Sequence, residues 1–127
     1  MYKRQTQLRG IRGATTIEND VREEILDSTE DLLKQLISDN DLSVDDVASA
    51  IFTVTPDIKA AFPAEAARVR LGWTDGAFIS AMESPVPGAP VKCIRILLLV
   101  NTTKSKTEIH HVYLKRASEL RKRGLNE

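Results

Sequence analysis

The segment from Val91 to Asn101 constrains the fold of this chain most, because it is the densest run of isoleucine, leucine and valine in the sequence. Its apolar centre, 96–100, is far too short to span a bilayer. An apolar run of this kind predicts a strand that is buried on both faces. Arg95 interrupts the pattern between Ile94 and Ile96, so a charged side chain is expected within an apolar strand.

The segment from about Asn19 to Asn40 predicts the longest helix of the chain. Apolar residues recur there at helical spacing, and three acids, Asp20, Glu23 and Glu24, fall in the first turn. Negative charge is favoured at that end of a helix by the helix dipole.

The remaining segments alternate between strand-like and helix-like patterns. The sequence predicts strands over 8–17, 50–55 and 77–82. It also predicts a brief helix from Ser43, with Asp46 in a capping-box arrangement, and a third helix over 64–71 that follows Pro63 and ends at Gly72. A proline-rich loop is expected over 84–90, and a half-apolar segment covers 109–114. This order indicates one α/β or α+β domain over residues 1–127, with a sheet that is either mixed or parallel. Residues 1–7 and 122–127 are expected to be flexible ends.

Charge balance and the few metal-ligating residues exclude several classes of protein. With 18 basic and 18 acidic residues, the chain has no global attraction for nucleic acid or an anionic membrane. Cys93 is the only cysteine, which excludes an intrachain disulfide and suits a reducing compartment. His110 and His111 are adjacent and make a poor metal pair. We expect a cytoplasmic protein with no signal segment, no metal and no cofactor.

Arg95 is the most informative single residue. A guanidinium taken out of water needs a carboxylate or an open cavity. One interpretation is an internal ion pair with an acid of the chain. The other is a ligand, because the planar fork of an arginine binds carboxylates and oxyanions.

Other candidates are weaker when taken singly. Arg12 lies between two glycines of the first strand. Taken alone, Arg12, Arg68 and Arg121 are each better explained as solvated surface side chains. Glu83 could be a plain loop acid, it could pair with an arginine, or it could accept a hydrogen bond from a substrate hydroxyl. Tyr113 fits either a core residue or a hydrogen-bond donor to an anion.

Taken together and in order, these residues resemble the small monofunctional bacterial chorismate mutases of the trimeric type. The matching stretches are Arg9-Gly10-Ile11-Arg12-Gly13-Ala14-Thr15-Thr16, Thr55-Pro56-Asp57, Ala61-Phe62-Pro63-Ala64, Gly72-Trp73, Met82-Glu83, Lys92-Cys93-Ile94-Arg95, His111-Val112-Tyr113-Leu114 and Leu120-Arg121. The resemblance implies a pseudo-α/β-barrel homotrimer, with a mixed sheet at its centre, helices outside and active sites in clefts between subunits. It also implies the Claisen rearrangement of chorismate to prephenate in phenylalanine and tyrosine biosynthesis, which needs no nucleophile, base or metal.

The resemblance implies a role for each polar candidate. Arg95 would lie beside the ether oxygen of the breaking bond, where its charge stabilises the polar transition state. Its partner would then be the substrate and not an acid of this chain. Arg12 and Tyr113 match positions that bind the carboxylates of the substrate, and Glu83 matches the acid that accepts a hydrogen bond from the ring hydroxyl.

The other matched positions form the walls and the mouth of the implied site. Phe62 matches an aromatic wall contributed by the neighbouring chain, and Arg68 and Arg121 match cations near the mouth. The remaining substrate-contact positions are Ile79, Ser80, Ala81, Met82 and Leu120.

Two positions depart from the pattern of the family. Ser80 stands where a cysteine is common, and Glu65 stands where a lysine near the entrance is known, which reverses a local charge. Two alternatives to the enzyme stay open. One is a non-catalytic trimeric binding module for a small dicarboxylate metabolite. The other, less favoured because aromatic residues are not interleaved, is a nucleic-acid-binding domain that uses the basic run 115–123.

Overall fold

The secondary structure follows the predicted order of strands and helices, with one further short helix at Ser118–Lys122 that the sequence did not indicate. A computed structural model describes residues 4–122, with the backbone alone at 121 and 122. The strands are β1 (Gln7–Thr16), β2 (Val47–Val54), β3 (Phe78–Met82), β4 (Cys93–Thr102) and β5 (Val112–Tyr113), and the helices are α1 (Arg22–Asp39) and α2 (Ser118–Lys122). Short 3-10 turns cover Val44–Asp46, Lys106–Glu108 and Lys115–Ala117, and a π-helical turn covers Ala66–Arg70. Within residues 4–122, no helix is long and apolar enough to cross a membrane.

β4 is the middle strand of a five-stranded sheet with the order β3-β2-β4-β1-β5. It runs antiparallel to both of its neighbours, whereas the outer strands β3 and β5 run parallel to β2 and β1. The sheet is therefore mixed, which decides between the two arrangements that the sequence left open.

The side chains of β4 alternate between a buried and a half-buried face of the sheet. The buried ones are Ile94, Ile96, Leu98 and Val100. The half-buried ones are Arg95, Leu97 and Leu99. On the second face only Cys93 is buried. The prediction of burial on both faces is therefore wrong for the rest of the strand, because the main helix of the fold covers only one face.

α1 covers the buried face of the sheet. Its buried side chains recur at helical spacing and are Ile25, Leu26, Ser28, Thr29, Leu32, Leu33 and Leu36. The leucines join one core cluster with Phe52 of β2 and Leu98 of β4. The helix approaches β1 closely at Gly13, where a Cβ atom would lie only 2.8 Å from Cδ1 of Leu36. This glycine therefore sets how near α1 lies to the sheet.

Asn40 ties the end of α1 to the segment that leads into β5. Its side-chain amide donates hydrogen bonds of 2.9 Å to the carbonyl oxygens of Leu36 and His110. Its Oδ1 accepts a 2.8 Å bond from the backbone N–H of His110. Asn40 is fully buried, so its bond to Leu36 is shielded from water, whereas the two bonds to His110 are partly buried. They fix the position at which Tyr113 enters the sheet.

Candidate active site

A cavity of about 360 Å³ opens on the face of β4 that points away from α1. This size lies within the usual range for small-molecule sites. The cavity is lined by Arg12, Gly13, Ile51, Thr53, Glu83, Arg95, Ile96, Leu97 and Tyr113.

The strand register brings the polar side chains of this cavity together. Arg95 of β4 pairs with Ala14 of β1 on one side and with Thr53 of β2 on the other. Tyr113 of β5 also pairs with Ala14, and Arg12 lies two residues before Ala14 on β1. Since paired residues and those two apart share a face, these side chains all project to one side of the sheet.

Arg95 lies beside an acid of its own chain. Its Nε is 3.4 Å from Oε1 of Glu83, an ion-pair contact longer than the roughly 2.7–2.9 Å of a charge-assisted hydrogen bond. Both side chains are about three-quarters buried, with 27% and 23% exposed. The expectation that no acid of the chain neutralises Arg95 is therefore wrong for this structure. The loop after β3 returns Glu83 toward the centre of the sheet.

Thr53 holds the other oxygen of the same carboxylate. Its hydroxyl donates a hydrogen bond of 2.6 Å to Oε2 of Glu83. The local sequence does not indicate this residue, because a threonine in an apolar strand is an ordinary strand former. Only the pairing of Thr53 with Arg95 marks it as a residue of the site.

His111 supports the backbone of the site. Its Nδ1 accepts a 3.0 Å hydrogen bond from the backbone N–H of Arg12, and the N–H of Leu114 donates to the carbonyl of Ala14 at 2.9 Å. The histidine therefore holds β1 and the C-terminal segment together at Arg12, a structural role that the sequence did not indicate. Within residues 4–122, no group of three or more potential metal-ligating side chains is found.

The C-terminal segment closes one end of this face. Ala117 and Leu120 form a small buried cluster with Ala14 and Cys93, and Tyr113 packs against it. Burial raises the pKa of the Cys93 thiol to about 11, although the charge of Arg95 partly opposes this. Leu120 was predicted as a substrate contact, but it is 1% exposed and packs inside this cluster. It therefore does not line the cavity, because the helical turns after Tyr113 fold it inward.

The apolar candidates lie elsewhere on the chain. Phe62 lines a second cavity of about 410 Å³, together with Ser80, Ala81 and Met82. Ile79 is 64% exposed on β3, and Arg68 is exposed on the π-helical turn. The described chain thus divides the predicted site residues between two cavities and open surface. The side chain of Arg121 lies outside the described residues.

The lining of the Arg95 cavity includes two guanidinium groups, one carboxylate and one tyrosine. Arginines together with a tyrosine hydroxyl suit an anionic ligand. The sequence also matches the chorismate mutase type I family over residues 8–123. The chain belongs to this family.

Individual relatives agree with this family assignment. The chain is 42% identical over 114 residues to chorismate mutase AroH of Bacillus subtilis (strain 168), and the match covers 90% of each protein. It is 45% identical over 115 residues to chorismate mutase AroH of Thermus thermophilus, with 90% of this chain and 93% of that one covered. A solved chorismate mutase from Clostridium thermocellum superposes on this chain with a TM-score of 0.86 and is 49% identical in sequence. The match covers 88% of this chain and 99% of that one. The predicted family and the α+β fold with a mixed sheet are confirmed.

Glu65, which departs from the expected pattern of the family, is engaged within the chain. Its carboxylate forms an ion pair with Arg22 of α1. Five residues on, Arg70 contacts three carboxylates of the same helix, those of Glu23, Asp27 and Glu30, at 2.8–3.1 Å. The segment from Glu65 to Arg70 is therefore held on α1 by ion pairs at both ends.

Proposed function

We propose that this chain catalyses the intramolecular rearrangement of chorismate to prephenate in the Arg95 cavity. Family membership supports the reaction, and one feature of the cavity supports the place. Arg12 and Arg95 supply two positive charges against the single negative charge of Glu83. A small substrate with two carboxylates complements such an excess of positive charge.

The reaction involves neither proton transfer nor a covalent intermediate, so the protein can accelerate it in two ways. The flexible substrate has to be held in the compact shape in which the bonding carbons meet. Positive charge has to lie where the ether oxygen becomes negative as its bond breaks. In our proposal Arg12 and Tyr113 bind carboxylates and Glu83 accepts a hydrogen bond from the ring hydroxyl. Arg95 then stabilises the ether oxygen.

We further propose that the site is completed by a second copy of the chain. β3 is an edge strand of the sheet, and an edge strand presents unpaired backbone groups that favour association. Phe62, Ile79 and Met82 are each more than 60% exposed on or near this edge. Burial of these side chains against another subunit would bring the second cavity, which Phe62 lines, toward a neighbouring Arg95 cavity. The proposed assembly is a homotrimer.

The first test is the loss of chorismate absorbance with and without the purified wild-type protein, in the absence of added cofactor. We expect conversion by the wild type and a decrease in kcat of about 100- to 1,000-fold for Arg95→Ala, the usual effect of removing one electrostatic donor. Arg9→Ala is the matched control, since Arg9 lies on β1 and its Nε donates to the carbonyl of Lys104 outside the cavity.

Arg9→Ala should retain activity within about twofold of wild type, because surface substitutions away from the site have small effects. Wild-type protein that binds chorismate without converting it would support the binding module instead. Full activity in a folded Arg95→Ala variant would contradict the role of Arg95.

A further inference from the structure

We infer that Thr53 is a positioning residue that keeps the carboxylate of Glu83 from closing onto Arg95. This inference rests on the proposed function. It concerns a residue that belongs to neither the charged pair nor the carboxylate-binding groups, and that acts through Glu83.

The strand order places Thr53 between the two charged side chains. β2 lies between β3 and β4, so the backbones that carry Glu83 and Arg95 are separated by two strand spacings, or about 10 Å. Thr53 pairs with Arg95 on one side and with Ala81 of β3 on the other. The carboxylate of Glu83 therefore reaches Arg95 by extending over Thr53.

β2 holds both the backbone and the side chain of Glu83. The backbone N–H of Glu83 donates a 2.9 Å hydrogen bond to the carbonyl of Val54, and the hydroxyl of Thr53 donates a 2.6 Å bond to Oε2. Two adjacent residues of one strand thus fix the direction of the acid. An ionised carboxylate only accepts hydrogen bonds, so Thr53 is the donor and its proton is committed to Glu83.

The remaining oxygen of Glu83 lies 3.4 Å from Nε of Arg95, in an ion-pair contact in which this N–H does not donate a hydrogen bond. The Nε–Oε1 separation of 3.4 Å leaves an ion pair that could shorten by about half an ångström. Such shortening would tie the positive charge of Arg95 to an internal acid, at the expense of the substrate. The bond from Thr53 opposes this movement, and it also keeps lone pairs of the carboxylate available to the ring hydroxyl.

The experiment compares wild type, Thr53→Val, Thr53→Ser and Ser49→Ala in the chorismate assay. Valine keeps the branched shape of threonine and removes only the hydroxyl, and serine restores the hydroxyl. Ser49 is the matched control because it lies on β2, four residues earlier, and outside the lining of the cavity.

We expect Thr53→Val to lower kcat by about 10- to 100-fold, the equivalent of a hydrogen bond to a charged group, with a smaller change in KM. Thr53→Ser should recover activity to within about threefold of wild type, and Ser49→Ala should remain within twofold. Thermal unfolding of each variant checks that the fold is kept. Thr53→Ala serves as a second hydroxyl-free variant in case the valine protein does not fold.

A double-mutant cycle separates positioning from a merely structural role. If Thr53 acts through Glu83, Thr53→Val should cause little further loss in a Glu83→Gln background. Three outcomes would each overturn the inference. The losses of kcat from the two substitutions could multiply in that cycle, or Thr53→Val could remain within twofold of wild type. The third is a folded Thr53→Ser enzyme that is as slow as the valine variant. All three outcomes would leave the proposed function intact if wild type converts chorismate. An inactive wild type would instead overturn the proposed function and, with it, the role of Thr53.

Discussion

Gly13 offers the sharpest test of how α1 packs on the sheet. A methyl group at this position would lie 2.8 Å from Cδ1 of Leu36 and 3.2 Å from Cδ1 of Leu32, whereas nonbonded carbon atoms prefer about 3.5–4.0 Å. Both leucines are fully buried, so neither can rotate into solvent. We expect the clash in Gly13→Ala to cost about 1–3 kcal/mol in the free energy of unfolding, as is typical of overpacked cores.

Gly10→Ala is the matched control on the same strand. Its methyl group would meet Cδ1 of Leu97 at 3.4 Å and Cδ2 of Leu99 at 3.9 Å, which are ordinary contacts. Both substitutions restrict the unfolded chain by a similar amount, so that contribution cancels in the comparison. The difference between the two variants therefore isolates the clash, and we expect Gly10→Ala to be the more stable by about 2 kcal/mol.

Urea unfolding can be followed by the fluorescence of Trp73, the single tryptophan, which is 5% exposed. Linear extrapolation then gives the free energy of unfolding of each variant. All proteins are compared at one concentration, because subunit association makes stability depend on concentration. A Gly13→Ala protein as stable as Gly10→Ala would refute the reasoning, since α1 would then have moved away from β1 at no cost.

Two further predictions concern the thiol and the edge strand. Because burial raises the pKa of Cys93 to about 11 from an ordinary value of 9.0, the folded protein keeps a proton that the unfolded chain loses. The free energy of unfolding should therefore fall as the pH rises through this window, and fall less in Cys93→Ala; equal slopes in the two proteins would contradict the burial effect. If β3 lies in a subunit interface, wild type should sediment at about three times the chain mass of 14.1 kDa, and Ile79→Lys as a smaller species. A wild type that sediments as a single chain would exclude the proposed trimer.

Local sequence patterns were sufficient to predict most of the secondary structure. The apolar spacing and first-turn acids predicted a helix over 19–40, and α1 spans Arg22–Asp39. The capping box of Ser43 and Asp46 is present, but it encloses a single 3-10 turn because β2 already begins at Val47. The predicted third helix is a π-helical turn over Ala66–Arg70, and Gly72 follows its C-cap residue Leu71 with a φ of 73° that favours glycine. These signals are all carried by residues close together in the chain.

Contacts between strands could not be predicted in the same way. Arg95 was singled out by its own strand, but its contact with Glu83 depends on β2 lying between β3 and β4. Thr53 was missed for the same reason, since its importance follows from register and not from local sequence. Leu120 was expected at the cavity, yet the turn that folds it into a buried cluster is not visible in the spacing of its neighbours.

The unbroken pairing of β4 restricts how the chain length of this protein can change during evolution. β4 pairs with β1 at every position from Cys93 to Thr102, and successive side chains point to opposite faces of the sheet. Insertion or deletion of one residue in the strand before Arg95 would turn this side chain toward α1 and an isoleucine toward the opposite face. Substitutions can alter the two faces separately, but a change of length would damage both at once. Length variation is therefore expected in the loop 84–90 before the strand, where the added or lost residues leave the register of β4 unchanged.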